Sequence, residues 1–166
     1  MVNKIKIQSK KTSDENLGWS EEFKQFLKEW FSGLITGIER LNDSTWPKVL
    51  ELTGRACAHV HSDALFGETW KNTQNLDDFI IKINESYRKK VFKRIDEDTI
   101  EACYSKCTCP LVEHGLVDSP LLCNCSPNWL AENFESILKK SVTITTKNTI
   151  LRGAKSCNFI ISIETE

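Results

Sequence analysis

Apolar residues recur along this chain with two different periods. From Trp19 to Asp43 the period is helical: Phe23, Phe26, Leu27, Trp30, Leu34, Ile38 and Leu41 form one stripe. Trp19 and Ser20 open that helix, and Glu21 and Glu22 suit the positive end of its macrodipole. Gly33 and Gly37 weaken its second half. Ser44 or Thr45 caps a second helix, with Pro47 in its first turn and Trp46, Val49, Leu50, Leu52 and Ala56 as its apolar residues. A short helical piece follows around 62–70. Asn75 then caps a fourth helix with Leu76, Phe79, Ile80 and Ile83 on one side.

After Tyr87 the period falls to two. Residues 91–95 and 99–105 are short and rich in strand formers, and Asp96-Glu97-Asp98 between them reads as a hairpin turn. Ser126 and Pro127 open a further helix to about Lys139, with Trp129, Leu130, Phe134, Ile137 and Leu138 facing inward. Two more strands close the chain, from Ser141 to Leu151 and from Lys155 to Ile163. Arg152-Gly153-Ala154 is the turn between them. Cys157, Phe159, Ile161 and Ile163 share one face of the last strand. This order predicts an α+β domain over residues 19–166: N-terminal helices, a β-hairpin, a cysteine loop, a helix and a second β-hairpin. Its sheet has four largely antiparallel strands, with helices on one face. Residues 1–18 read as a flexible or extended arm.

Composition changes little in this picture. The chain has 166 residues and a formal net charge of -1, so nothing electrostatic invites nucleic acid or an acidic membrane surface. No stretch reads as a membrane span, and the Lys-rich N-terminus lacks the apolar core of a signal peptide. A cytoplasmic location follows as the expectation, where thiols stay reduced.

The cysteines carry the candidate chemistry. Five of seven fall between Cys103 and Cys125, including the pairs Cys107/Cys109 and Cys123/Cys125. On extended backbone, each Cys-x-Cys pair aims both sulfurs to one side. Two pairs brought together would offer four thiolates to a structural zinc, with Glu113 and His114 as spare ligands. An iron–sulfur cluster or cuprous ion would also suit them. The alternatives are small buried side chains, redox thiols, or a disulfide between the pairs. Cys157 reads as core. A second group, Arg55, Cys57, His59 and His61, lies within seven positions. Helical spacing relates Arg55 to His59 and Cys57 to His61, which would make a thiol–imidazole couple or simply an exposed His pair at a helix end. The five tryptophans allow an aromatic-lined pocket.

The second half resembles a known family. The features are Cys107-x-Cys109-Pro110, then Cys123-x-Cys125-Ser126 with Trp129, a helix ending Ile137-Leu138, Arg152-Gly153, and Cys157-x-Phe159-x-Ile161. Together they look like the C-terminal half of the 4-vinyl-reductase-like, or hydrocarbon-binding, domain. Gly54-Arg55-Ala56-Cys57-Ala58 looks like a motif of its cysteine-rich bacterial and archaeal branch, which is similar to aminothiazoline-carboxylate hydrolases. The resemblance covers residues 45–163. Thr53 stands where that branch often has cysteine. The resemblance implies an apolar pocket between helices and sheet, a small hydrophobic ligand, Arg55 and Trp129 near it, a cysteine-held metal and a homodimer. A hydrolase with Cys57, His59 or His61 as catalytic residues is the alternative. A third reading is an interaction scaffold like the transport-particle subunits that use this fold.

Overall fold

The computed structural model describes residues 18–41 and 45–164, without the side chains of 61–64. Nearly all of the expected N-terminal arm, and the alternative cap Ser44, lie outside the described residues.

Among the described residues there are six α-helices and four strands. Helix α1 is Glu21–Glu39, α2 Trp46–His61, α3 Glu68–Lys71, α4 Leu76–Tyr87, α5 Pro110–Glu113 and α6 Ser126–Leu138. The strands are β1 Phe92–Arg94, β2 Thr99–Tyr104, β3 Val142–Asn148 and β4 Cys157–Ile163. The sheet is antiparallel throughout, in the order β1-β2-β4-β3. The expected α+β class is what the chain adopts.

Local chemistry sets the helix starts. The Ser20 hydroxyl accepts from the Phe23 N–H at 3.2 Å, and the Asn75 side chain accepts from the Asp78 N–H at 3.0 Å. Each satisfies a backbone donor that a helix N-terminus leaves over. The last hairpin departs from the expected pair of long strands. The β3 ladder ends at Asn148, and Ile150–Arg152 form a 3-10 turn closed by Gly153 at φ 90°. Only glycine takes that conformation cheaply.

Period two decides which face of the sheet is covered. Ile100, Ala102 and Tyr104 of β2 and Phe159 and Ile161 of β4 turn inward and are buried. Helices α4 and α6 cover that side. Between the layers, Phe66, Phe79, Phe92 and Phe134 are fully buried, with ring centroids 5.6–6.2 Å apart in tilted or edge-on pairs. Each such side chain contributes about 1.5–3 kcal/mol by burial, and the ring geometry adds to it.

Phe66 reaches this cluster from an unusual element. Residues 62–67, expected to be ordinary helix, form a six-residue π-helical segment between α2 and α3. π-helical turns are rare and concentrate at functional sites.

Candidate functional site

The cysteine stretch packs against the seam between α2 and α6. Gly54 explains how that seam closes. A Cβ there would collide with the Cys125 carbonyl and come within 2.9 Å of the Asn128 Cβ. The backbone of α2 therefore lies directly on the start of α6, and one turn later α2 presents Cys57.

The second Cys-x-Cys pair is not extended. Ser119 and Pro120 start a 3-10 turn over Pro120–Asn124, so Cys123 lies within helical backbone and Cys125 caps α6 in right-handed helical conformation. Side chains two apart on a helical turn point to different sides. Cys123 is accordingly buried and Cys125 half-buried. In the first pair, Cys109 caps α5 on extended backbone and Cys107 lies in the loop before it. Among the described residues, no group of three or more His, Cys, Asp or Glu side chains converges as metal ligands do. The four thiols of Cys107, Cys109, Cys123 and Cys125, expected as a tetrahedron, are not gathered into such a group. Glu113, a spare ligand by sequence, pairs with Lys106 at 2.9 Å.

The thiols nevertheless sit within electrostatic reach of one another. Burial pushes Cys125 up to about 12, helped by Cys109, Cys57 and Cys123. Cys107 is raised by burial and by Cys109, Cys157 and Cys123, against the Cys109 N–H, which lowers it. Cys157 is raised by burial and by Cys123 and Cys103, while the Ile150 N–H, donating to its sulfur at 3.3 Å, pulls the other way. Its packing against the core matches the sequence reading. Cys57 is solvent-exposed, but packing around its stem pushes its thiol up and Cys109 adds to that. Activation of a nucleophilic cysteine needs the opposite direction.

Arg55 turns across the seam. Its guanidinium lies 2.7 Å from both Glu132 and Glu135 of α6, and those two carboxylates raise its pKa. Glu51 stands 4.0 Å away on its own helix. His59 points to the same group, with Nε2 at 3.8 Å from Glu132. The anticipated helical partnership of Arg55 and His59 is thus routed through Glu132, a residue the sequence reading did not single out. The signal was present: Glu132 and Glu135 are three apart, so they share a face of α6. The side chain of His61 lies outside the described residues, so the couple with Cys57 stays an expectation. Trp129 lies half-buried on α6, edge-on to Phe66 at 5.8 Å.

Two surface clefts accompany this interior. One of about 380 Å³ lies wide open between Glu68, Thr69 and Asn72 on one side and Lys82, Glu85 and Ser86 on the other. A smaller one of about 120 Å³ lies where α1 meets the 116–119 loop. Polar side chains line most of the first, which does not suit an apolar molecule.

No protein-family model and no curated protein matches the chain. Solved structures do. Subunit 3 of the trafficking protein particle complex from Naegleria fowleri, in a crystal structure covalently bound to palmitic acid, superposes with a TM-score of 0.54. The match spans 88% of this chain and 98% of that one, at 12% identity. The fold is shared. An H-NOX domain from Shewanella oneidensis, in its Fe(II)CO state, gives a TM-score of 0.41 at 16% identity over 87% of this chain and 75% of its own, too loose to argue from. No helix among the described residues is long and apolar enough to cross a membrane.

Proposed function

We propose that this chain is a binding module for a small, mostly apolar molecule, and that it works as a homodimer. One observation carries the ligand reading. Phe66, delivered by a π-helical segment, stands at the centre of an aromatic cluster between the helices and the sheet. Its ring touches Trp129, which reaches the surface. Swinging Phe66 aside would open a slot walled by Phe79, Phe92 and Phe134. The palmitic acid held by the trafficking subunit, which shares the fold, supports an acyl chain as the type of occupant. The homodimer rests on the family resemblance. Burial raises the Cys57 thiol, the direction opposite to that of an activated nucleophile.

Titration with a fluorescent fatty acid tests the ligand reading. Saturable binding with a change in tryptophan emission is expected, because Trp129 borders the slot. Phe66→Ala should lower stability by about 3–5 kcal/mol, as for a buried aromatic, and should tighten binding of the probe. Absence of saturable binding by both proteins would end the proposal.

A further inference from the structure

The stripe that defines α1 in the sequence, together with Phe31 and Ile35, covers about half of the helix circumference at 3.6 residues per turn. The fold uses one edge of it. Ile35 and Ile38 are buried and Phe31 partly so. The other edge faces solvent: Phe26 is 57% exposed, Trp30 54%, and Phe23 and Leu34 44% each. No other helix or strand among the described residues packs broadly on α1. A helix with only one edge buried and four large apolar side chains in water calls for a partner.

We propose that the partner is α1 of a second copy, packed antiparallel. This names the surface of the homodimer proposed above and rests on that reading. The sequence of α1 is complementary to itself. Around a twofold axis between Phe31 and Ser32, Trp30 meets Gly33 of the second copy and Phe26 meets its Gly37. Both glycines lie on the exposed side, and a Cβ on either would touch nothing within 4 Å. Each large ring therefore finds a vacant position opposite. Glu22 and Arg40 come within one residue of each other across the pair, acid against base. A twofold contact of this kind uses the same patch on both chains. Half of three aromatic side chains, at roughly 150–250 Å² each, gives about 300 Å² per chain. Leu34 and the helix backbone at the two glycines extend it toward the roughly 800 Å² per partner of a standard interface. A lipid surface fits less well. Helices that lie on membranes carry Lys and Arg on the polar face, whereas Glu21, Glu22, Glu29 and Glu39 here outnumber Lys24, Lys28 and Arg40.

The test is solution mass by light scattering on the full chain at micromolar concentration, with circular dichroism as the fold control. The wild type should run at twice the chain mass. Trp30→Glu and Gly33→Leu should run at the single chain mass with helix content retained. Leucine is a better helix former than glycine, so unravelling of α1 cannot account for a loss of dimer in the second variant. Ile81→Glu, at an exposed site on α4, should stay dimeric. A dimer that survives both α1 substitutions overturns this interface and leaves the homodimer reading standing. A monomeric wild type overturns both. If that monomer floats with anionic vesicles, the face belongs to lipid, and if α1 is protected from hydrogen exchange in it, the face belongs to residues 1–17.

Discussion

Gly54 shows how a single residue carries both packing and site. In an exposed helix interior, replacing glycine by alanine gains about 1 kcal/mol. Here the added methyl meets the Cys125 carbonyl and Asn128 across the seam. Backbone cannot move aside as a flexible side chain does. Gly54→Ala should therefore lower stability by about 1–3 kcal/mol, the usual cost of overpacking, as read by urea unfolding. A stabilised variant would mean that α2 and α6 are further apart than described. The same contact fixes where Cys57 stands relative to Cys109 and Cys125. The glycine is visible in the sequence, but its reason is not. Only the crossing of two helices, which brings Gly54 against residues more than 70 positions along the chain, supplies that reason.

At the scale of elements, Arg55 ties α2 to α6 through two carboxylates. These groups are partly exposed, so water screens the attraction. Removing the guanidinium also leaves Glu132 and Glu135 facing each other without compensation. Arg55→Met, which keeps the stem, should cost about 1 kcal/mol, and the loss should shrink as salt rises. A salt-independent loss of several kcal/mol would point to packing instead. Helices α4 and α6 and all four strands could be read from the sequence, because one buried face imposes its period on each. The cysteine loop could not. There, Ser119 and Pro120 choose a 3-10 turn locally, and that choice turns Cys123 and Cys125 to different sides. Residue spacing carries no record of that backbone decision. In α1 the expected apolar stripe is present, but half of it faces solvent. Apolar periodicity reports that a face is to be covered, without saying by what.

For the whole molecule, the interior sets a pH limit. Burial pushes Cys125 up to about 12 and, against a lowering contact from Tyr104, Tyr87 to about 12 as well. Tyr104, fully enclosed, is driven well above its ordinary range. All three are neutral acids at physiological pH, and the fold extends that range upward. Below about pH 9 both folded and unfolded chains keep these protons, and the groups add no pH dependence. Between about pH 9 and pH 12 the unfolded chain releases them while the fold does not, so stability falls as pH rises. At about 1.4 kcal/mol per pH unit for each group, the combined loss is several kcal/mol. Urea midpoints at about pH 8 and pH 11 measure it. Tyr87→Phe keeps the ring and removes one titrating group, so it should make the alkaline decline shallower without lifting stability near neutrality. An unchanged slope would mean that the Tyr87 hydroxyl reaches water in the folded protein. The tyrosine pair would then lie outside the enclosed interior that the ligand proposal depends on, since Tyr87 and Tyr104 both stand edge-on to Phe92, a wall of the slot behind Phe66.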